Sequence, residues 1–505
     1  MKKGKVYIIG GGPGDPGLLT VKGKECLEKA EVVVYDYLIG SDILAYANPD
    51  ARLVYVGKQG GAHTVTQDAL NRILVEEAMR GRMVVRLKGG DPFIFGMGGE
   101  EAQVLAEAEI PFEIIPGISS AVAVPAYAGI PLTHRRHTSA VAFVTGHEDP
   151  TKEKSRLDWD CLAGIETLVF LMGVKNLSRI IEMLIEKGKD PRTPSALIRW
   201  GTTPGQETLT ARLADIATIA EERNFSPPAI FVVGDVVRLR EELAWFEKKP
   251  LFGKTVVVTR PETQAAAFAT LLRDQGARVI TFPVIRVVPS DNMGPLDKAL
   301  SAISSYQWLI FTSANGVRFF FERLRRQGMD VRDLKGIRIA TIGPATAEMV
   351  ESMGIRVDLS PDEFISEGVV KAFERIDIRG KRILLPRAET ARDVIPQGLG
   401  RQGALIDVIP IYKTVGSGKD GKELLEALTE GEVDVITFTS PSTVTNFIDI
   451  IGKEAEIPPG VAIACIGPVT ASAAQNAGLT VNIMQGPYEM KGFVEAIAAY
   501  VKGLT

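Results

Sequence analysis

Short apolar runs, each ending in a glycine-rich or hydroxyl-rich loop and each followed by a stretch of helical period, recur along the whole chain. That alternation limits the fold more than anything else in the sequence. Parallel strands need a crossover long enough to hold a helix, so strands alternating with helices build sheets covered by helices on their faces. Val6 to Ile9, Glu31 to Tyr35, Met83 to Leu87, Ala140 to Thr145 and Thr167 to Leu171 are such runs, and they predict an α/β protein with mostly parallel sheets. Around Pro111 to Gly117 a strand ends in a Pro-Gly break, the expected hinge between two lobes.

A seam falls near Phe246 to Gly253. Asp235 to Phe246 reads as a closing helix, Lys248 to Lys254 (KKPLFGK) as a short, stiff connector, and the strand TVVVTR follows at once. After the seam the chain repeats itself. GKTVVVTRPETQ at Gly253 resembles GKRILLPRAETA at Gly380, a shift of 127 that also carries Arg260 to Arg387, Gly276 to Gly403 and Pro283 to Pro410. FTSANGVRFF at Phe311 meets FTSPSTVTNF at Phe438 at the same shift, and TIGPATAEMVESMGI at Thr341 meets CIGPVTASAAQNAGL at Cys465 at 124. Three segments in one order at nearly one offset are a duplication. Phe282 to Pro289 and Val408 to Val415, both extended and Pro-bearing, are expected to run side by side as a two-stranded link, so that each lobe of this half draws on separated parts of the chain.

With 505 residues, three to four compact units are expected, and a content of 45 % hydrophobic residues allows each a core. No apolar run approaches the ~18 residues a membrane helix needs, and MKKGKVYIIGGG enters a strand and a glycine loop rather than a signal peptide, so the expected location is cytoplasmic and no membrane partner is expected. The formal net charge of -4 argues against a general nucleic-acid binder. Cys26, Cys161 and Cys465 are far apart and no HExxH occurs, so neither a disulfide framework nor a metal site is signalled.

GPGDPG (Gly12 to Gly17) satisfies GxGxxG, with Asp36 closing the next strand. A pyrophosphate cradle relies on main-chain N–H groups, however, and Pro13 and Pro16 each remove one. The loop suits close approach by something uncharged or cationic, and a nicotinamide-dependent dehydrogenase is the disfavoured alternative. The series GGGPGDPG, VVVYD, VGKQGGAHTVTQ, KGGDPFIFG, PGISSAVAVPAYAGIPLTHR, LVFLMG, IRWGTTPGQ and PPAIFVVGDVV, over roughly residues 4 to 245, resembles uroporphyrinogen-III C-methyltransferase of the tetrapyrrole methylase class. The resemblance implies two α/β lobes holding S-adenosyl-L-methionine between them, with cofactor contacts from Pro13, Gly89, Gly90, Asp91, Ile94, Ser119, Ser120, Met172, Gly201 and Ala229. Those residue types suit the ligand. Glycines admit main chain close to it, Asp91 can accept from its ammonium or hydroxyl donors, and a Met172 sulfur can lie against adenine.

C-methylation has an electron-rich pyrrole carbon attack the sulfonium methyl and later requires a proton to leave the macrocycle. Asp36, at a strand C-terminus, is the candidate base and Lys58 the candidate donor, roles that the resemblance also assigns. His134 and Arg135 of HRRH, with Arg199, offer partners for substrate carboxylates. Two positions depart from the family pattern. Gln59 stands where arginine usually follows GK, and Met97 where FGRGGEE is usual; each deletes a positive charge near the cleft.

From Lys254 to Tyr500 there is no triad or Walker loop, and no histidine, so imidazole chemistry is excluded from this half. What recurs are hydroxyl and small-residue loops after strands, FTSAN, FTSPS, TIGPAT and CIGPVT, which offer Ser/Thr and main-chain donors to a polyanion. The half resembles uroporphyrinogen-III synthase, whose product is the first half's substrate. The resemblance implies cofactor-free closure of hydroxymethylbilane with inversion of the last ring, Tyr412 as proton donor, and Ser313, Ser440 and Thr470 as substrate binders. The expected organisation is a methylase over 1–247, with lobes of about 1–116 and 117–247, and a synthase over 248–505, with one lobe of about 253–281 plus 415–505 and the other of about 289–408. The expected product is precorrin-2, on the way to sirohaem or cobalamin. A second half serving as a noncatalytic small-molecule sensor is the other alternative, and a homodimer through the methylase half is one assembly open to the chain.

Overall fold

The computed structural model describes residues 3–57, 65–146, 156–452, 457–485 and 489–503. The chain forms two compact units that change over at Thr255, the first also taking Leu272–Arg278 and the end of the terminal helix from Val501.

The first unit holds two five-stranded sheets. One is parallel throughout, in the order Arg52–Tyr55, Val32–Tyr35, Met83–Lys88, Lys5–Gly10, Phe112–Ile115. Val32, Val33 and Val34 are all fully buried, as a strand covered on both faces must be. Gly10 lies opposite Lys88, so the two glycine loops leave the sheet side by side. From these neighbouring strands the chain crosses in opposite directions, to Val32–Tyr35 from one and to Phe112–Ile115 from the other. Right-handed crossovers then put their helices on opposite faces and open a crevice at the strand ends.

The second sheet departs from the expectation of parallel strands. In the order Val141–Thr145, Thr167–Leu171, Ala229–Val233, Pro194–Arg199, Glu207–Arg212, only the first pair is parallel. The reason is local. Pro194–Arg199 and Glu207–Arg212 are joined by the short loop WGTTPGQ, too short to carry a crossover, so they can pair only antiparallel. The closing helix is also shorter than expected: a 3₁₀ turn at Asp235–Leu239 runs into a helix that stops at Leu243, and Trp245 and Phe246 pack as aromatics against Tyr127 instead.

The second unit has two further five-stranded sheets, and the duplication is exchanged between them. One runs Arg278–Thr281, Thr255–Val258, Val435–Phe438, Ala462–Cys465, Val481–Met484. The other runs Ile285–Pro289, Leu405–Gly416, Arg382–Ala388, Trp308–Phe311, Arg338–Thr341. Under the 127 and 124 shifts, Thr255–Val258 matches Arg382–Leu385 and Trp308–Phe311 matches Val435–Phe438, so each sheet joins the opening strands of one repeat to the later strands of the other. The chain passes between sheets along Ile285–Pro289, which pairs antiparallel with the end of the long strand Leu405–Gly416, Ile285 opposite Gly416 and Pro289 opposite Tyr412. Each sheet has its own phenylalanine-rich core, around Phe311, Phe320 and Phe321 in one and Phe438 and Phe447 in the other.

Candidate functional site

At the C-terminal end of the parallel sheet three backbone segments meet without side chains between them. Gly12 and Gly90 exchange main-chain hydrogen bonds, Gly12 N–H to Gly90 O at 3.2 Å and Gly90 N–H to Gly12 O at 2.7 Å, and Gly11 N–H donates to Lys88 O. Gly117 closes the third side: a Cβ there would fall 2.2 Å from the Gly90 carbonyl oxygen, and Gly90 itself has φ +66°. Gly117 therefore has no room for a side chain, and Gly90 has the left-handed backbone that favours glycine. Asp91 ties the segments together, accepting from Phe93 N–H at 2.8 Å and from Gly117 N–H at 3.0 Å. Half of its accepting capacity is thus structural, which sequence reading does not reveal.

Next to this cradle Ser119 caps the helix Ser120–Tyr127, and Ser120 is half-buried in its first turn. The GPGDPG loop reaches across to the second sheet. Asp15 N–H donates to Thr202 Oγ1 at 3.1 Å, and Tyr127 donates its hydroxyl to Asp15 at 2.6 Å. The helix after this loop begins only at Val21, behind a separate 3₁₀ turn, so GPGDPG does not present a helix N-terminus to an anion. Pro13 is half-buried in the loop; Gly201 packs on Val124, leaving no room for a Cβ, and Ala229 opens its strand opposite Arg199.

Backbone conformation marks the same region. Phe95, Met97, Met172, Trp200 and Thr202 all have positive φ, although none is glycine, and all lie on loops that carry candidate cofactor residues. Strain of this kind persists where the surroundings fix it and collects at ligand sites. Ile94 and Met172 are exposed, Met172 by 51 %, so it is a displayed thioether and not core packing. Met97, at the position that departs from the family pattern, is left-handed and half exposed where the helix Gly98–Glu107 begins. Gln59 and the candidate donor Lys58 lie outside the described residues.

Asp36 is not a free carboxylate. One oxygen accepts from Leu38 N–H at 3.2 Å, and the other is 3.3 Å from Nη2 of Arg86. Arg86 is buried and passes the connection on, with Nε 3.3 Å from Glu101, while Lys88 Nζ reaches the same Glu101 oxygen at 2.6 Å. Burial and the neighbouring Arg86 lower the Lys88 pKa, even though Glu101 opposes this. The second Glu101 oxygen is buried with no partner among the described residues. Sequence reading missed this chain of charges, although a signal was present: Arg86 and Lys88 sit at i and i+2 in a central strand, where both point to one buried face and call for an anion.

His134 and Arg135 occupy a tight turn closed by His134 O, which accepts from His137 and Thr138 N–H, and the two histidine rings lie 4.9 Å apart. Arg199 stands at a strand end, 3.8 Å from Glu207, with its Nε buried and without a hydrogen-bond partner among the described residues. A hollow of about 850 Å³ lies at the other end of that strand, around Pro194 and Ser195, away from the cradle.

In the second unit the candidates divide between the sheets. Tyr412 is buried, stacks on Phe319 at 5.7 Å, and shares a 2.7 Å hydrogen bond with Ser313 Oγ, which also caps the helix Ala314–Arg326 by accepting from Gly316 N–H. Burial raises the Tyr412 pKa above the ordinary 10.0, so it stays a neutral phenol able to donate a proton. It lines a cavity of about 260 Å³ with Thr312, Leu385, Arg387, Ala388 and Arg392. Ser440 and Thr470 are on the other sheet, Ser440 as the cap of Pro441–Ile451 and Thr470 buried in the first turn of Pro468–Asn476, where it is only 4 % exposed. The structure brings Tyr412 and Ser313 together, places Ser440 at the position of the other sheet that the repeat relates to Ser313, and leaves Thr470 in the helix after the neighbouring strand.

A family model described as tetrapyrrole (corrin/porphyrin) methylases matches residues 5–217, and one described as uroporphyrinogen-III synthase HemD matches residues 266–495. A porphyrin biosynthesis protein HemD of Ruminiclostridium josui is 38 % identical over 480 residues, covering 95 % of this chain and 95 % of its own. An S-adenosyl-L-methionine-dependent uroporphyrinogen III methyltransferase of Methanosarcina barkeri is 57 % identical over 48 % of this chain and 94 % of its own. Among solved structures, uroporphyrin-III C-methyl transferase of Thermus thermophilus complexed with S-adenyl homocysteine is 39 % identical over 47 % of this chain and 100 % of its own, with a TM-score of 0.41.

Proposed function

We propose a function from one premise: the chain belongs to the family that joins a tetrapyrrole methylase to a uroporphyrinogen-III synthase. It is a bifunctional enzyme of tetrapyrrole biosynthesis, a methyltransferase and a synthase on one polypeptide. The observation that carries this is the 38 % identity to a porphyrin biosynthesis protein along 95 % of both chains, which covers the seam as well as the two halves. The functional boundary is placed at residues 247/248, with the lobes assigned as expected from the sequence.

In the methylase half, the residues of the Gly12, Gly90 and Gly117 cradle fit S-adenosyl-L-methionine: bare backbone, an exposed thioether at Met172, and loops held in conformations that side chains ordinarily avoid. Pro13, Gly89, Gly90, Asp91, Ile94, Ser119, Ser120, Met172, Gly201 and Ala229 would hold it, and when bound it supplies an electrophilic methyl group. Asp36, fixed by Arg86, takes the proton that leaves the methylated ring, Lys58 serves as donor, and Arg199 with His134 and Arg135 holds carboxylates of uroporphyrinogen III. Methylation at C2 and C7 yields precorrin-2. In the synthase half, Tyr412 donates its phenolic proton to the departing hydroxyl of hydroxymethylbilane, Ser313 orients that phenol, and the ring closes with its last pyrrole inverted. Ser440 and Thr470 bind substrate from the other lobe.

Incubating the protein with hydroxymethylbilane and S-adenosyl-L-methionine, then weighing the tetrapyrroles by mass spectrometry, tests the whole reading. Cyclised product carrying two added methyl groups is expected. Uncatalysed type I ring alone, with the cofactor unconsumed, would reject it.

A further inference from the structure

Arg260 and Arg387 are related by the 127 shift, and each sits at the C-terminal end of its strand, Arg260 just after Thr255–Val258 and Arg387 within Arg382–Ala388. In each sheet the neighbouring strand leads into a helix capped by serine, Ser440 beside the first and Ser313 beside the second. The exchanged repeats thus build the same corner twice, once per lobe.

Both corners share an anomaly. The Nε of Arg260 and the Nε of Arg387 are buried with no hydrogen-bond partner among the described residues. Arg260 Nη2 donates to Gln264 Oε1 at 2.7 Å and Nη1 contacts the sulfur of Met490, and neither partner is a carboxylate. Burial alone depresses its pKa, the mark of a cation that has lost water without gaining an anion. Arg387, its side chain 13 % exposed, uses Nη1 on the Arg392 carbonyl at 3.1 Å and Nη2 on Asp393 at 2.7 Å, and it lines the cavity beside Tyr412. An arginine that only supports structure in this unit looks different. Arg323 places its Nε 2.6 Å from Asp297 and its Nη2 on the same carboxylate, so its Nε edge is filled from within the fold. A donor left unmade in a buried guanidinium forfeits its full desolvation cost, and the same omission at two repeat-related positions indicates that a ligand completes both.

Resting on the synthase reading above, we propose that Arg260 and Arg387 are a pair of carboxylate-binding residues, one in each lobe, whose free Nε–H groups receive two carboxylates of the linear tetrapyrrole. A planar guanidinium with one unused edge accepts a carboxylate side-on, and a substrate bearing carboxylates along its length is held by both lobes at once.

The test uses the full chain, with Arg260→Met, Arg387→Met and the gentler Arg260→Gln and Arg387→Gln, and measures formation of type III ring against hydroxymethylbilane concentration. Uroporphyrin I, a ring with the same carboxylate arms, serves as inhibitor. Each substitution is expected to raise KM and the inhibition constant by about 10-fold, ~1.4 kcal/mol, with kcat changed less and methylation of supplied uroporphyrinogen III unaltered. Unchanged KM and inhibition constant at both positions, or a fall in kcat alone, would overturn the assignment. An effect confined to Arg387 would overturn the pairing. Where a Met variant melts early its Gln counterpart carries the measurement, and early melting of both at one position would make that arginine structural and end the proposal. Wild-type protein that forms no type III ring would sink the synthase reading instead.

Discussion

The chemistry of Asp36 is set by the charges packed behind it. Its position at a strand end can be read directly, but its carboxylate is held by Arg86, which Glu101 holds in turn, and Glu101 is shared with Lys88. Asp36→Asn should therefore lower methyl transfer by a factor of about 10² to 10⁴ while S-adenosyl-L-methionine still binds, and Lys58→Met should do the same. Single-turnover rates alongside cofactor titrations check this; wild-type rates in both variants would remove their catalytic roles. Glu101→Gln is a different kind of change, because it leaves two buried cations facing each other. Breaking a buried pair in this way costs about 3–5 kcal/mol, and a lower melting temperature with the synthase step intact at moderate temperature is the expected result. Unchanged melting would mean that water reaches the Glu101 site.

At the scale of elements, the glycine cradle is the feature most dependent on backbone alone. Gly117→Ala places a methyl against the Gly90 carbonyl oxygen and the Gly10 main chain. Because backbone cannot yield as a flexible side chain can, Gly117→Ala should weaken cofactor binding at least 10-fold, read by calorimetry, without altering type III formation; normal cofactor affinity would show the cradle to be a packing device only. The parallel sheet was legible because its strands are continuous apolar runs such as VVVY, closed by glycine, and the duplication because it preserves offsets. The antiparallel second sheet was not, since loop length decides pairing direction and the strand Ala229–Val233 inserts between Thr167–Leu171 and Pro194–Arg199 from far along the chain. Likewise Tyr412 and Ser313 were each visible, but their contact depends on a strand and a helix that are 99 residues apart. The Thr470 hydroxyl is visible in the sequence, whereas its burial in a helical turn is a property that periodicity in so short and small-residue a segment cannot supply.

For the whole molecule, one chain carries two chemistries whose proposed sites are built from different sheets: Asp36 and the cradle from the first unit, Tyr412 and its cavity from the second. Substitutions at the two sites should then be separable in both directions. Tyr412→Phe removes the phenol that Ser313 orients while keeping the ring stacked on Phe319, so the fold is expected to persist. Because hydroxymethylbilane closes without an enzyme to the uninverted type I ring, loss of the donor should appear as type I accumulating in competition with slowed type III, while methylation of supplied uroporphyrinogen III continues at the wild-type rate. Asp36→Asn should give the converse: normal type III formation, with the unmethylated ring accumulating when both substrates are supplied. Chromatographic isomer ratios and methyl counts from the same incubation read both at once. If Tyr412→Phe made type III at the normal rate, some other group or the substrate itself would be the proton source; if it also slowed methylation of supplied ring, the two sites would be coupled and the separation proposed at residues 247/248 would have to be given up.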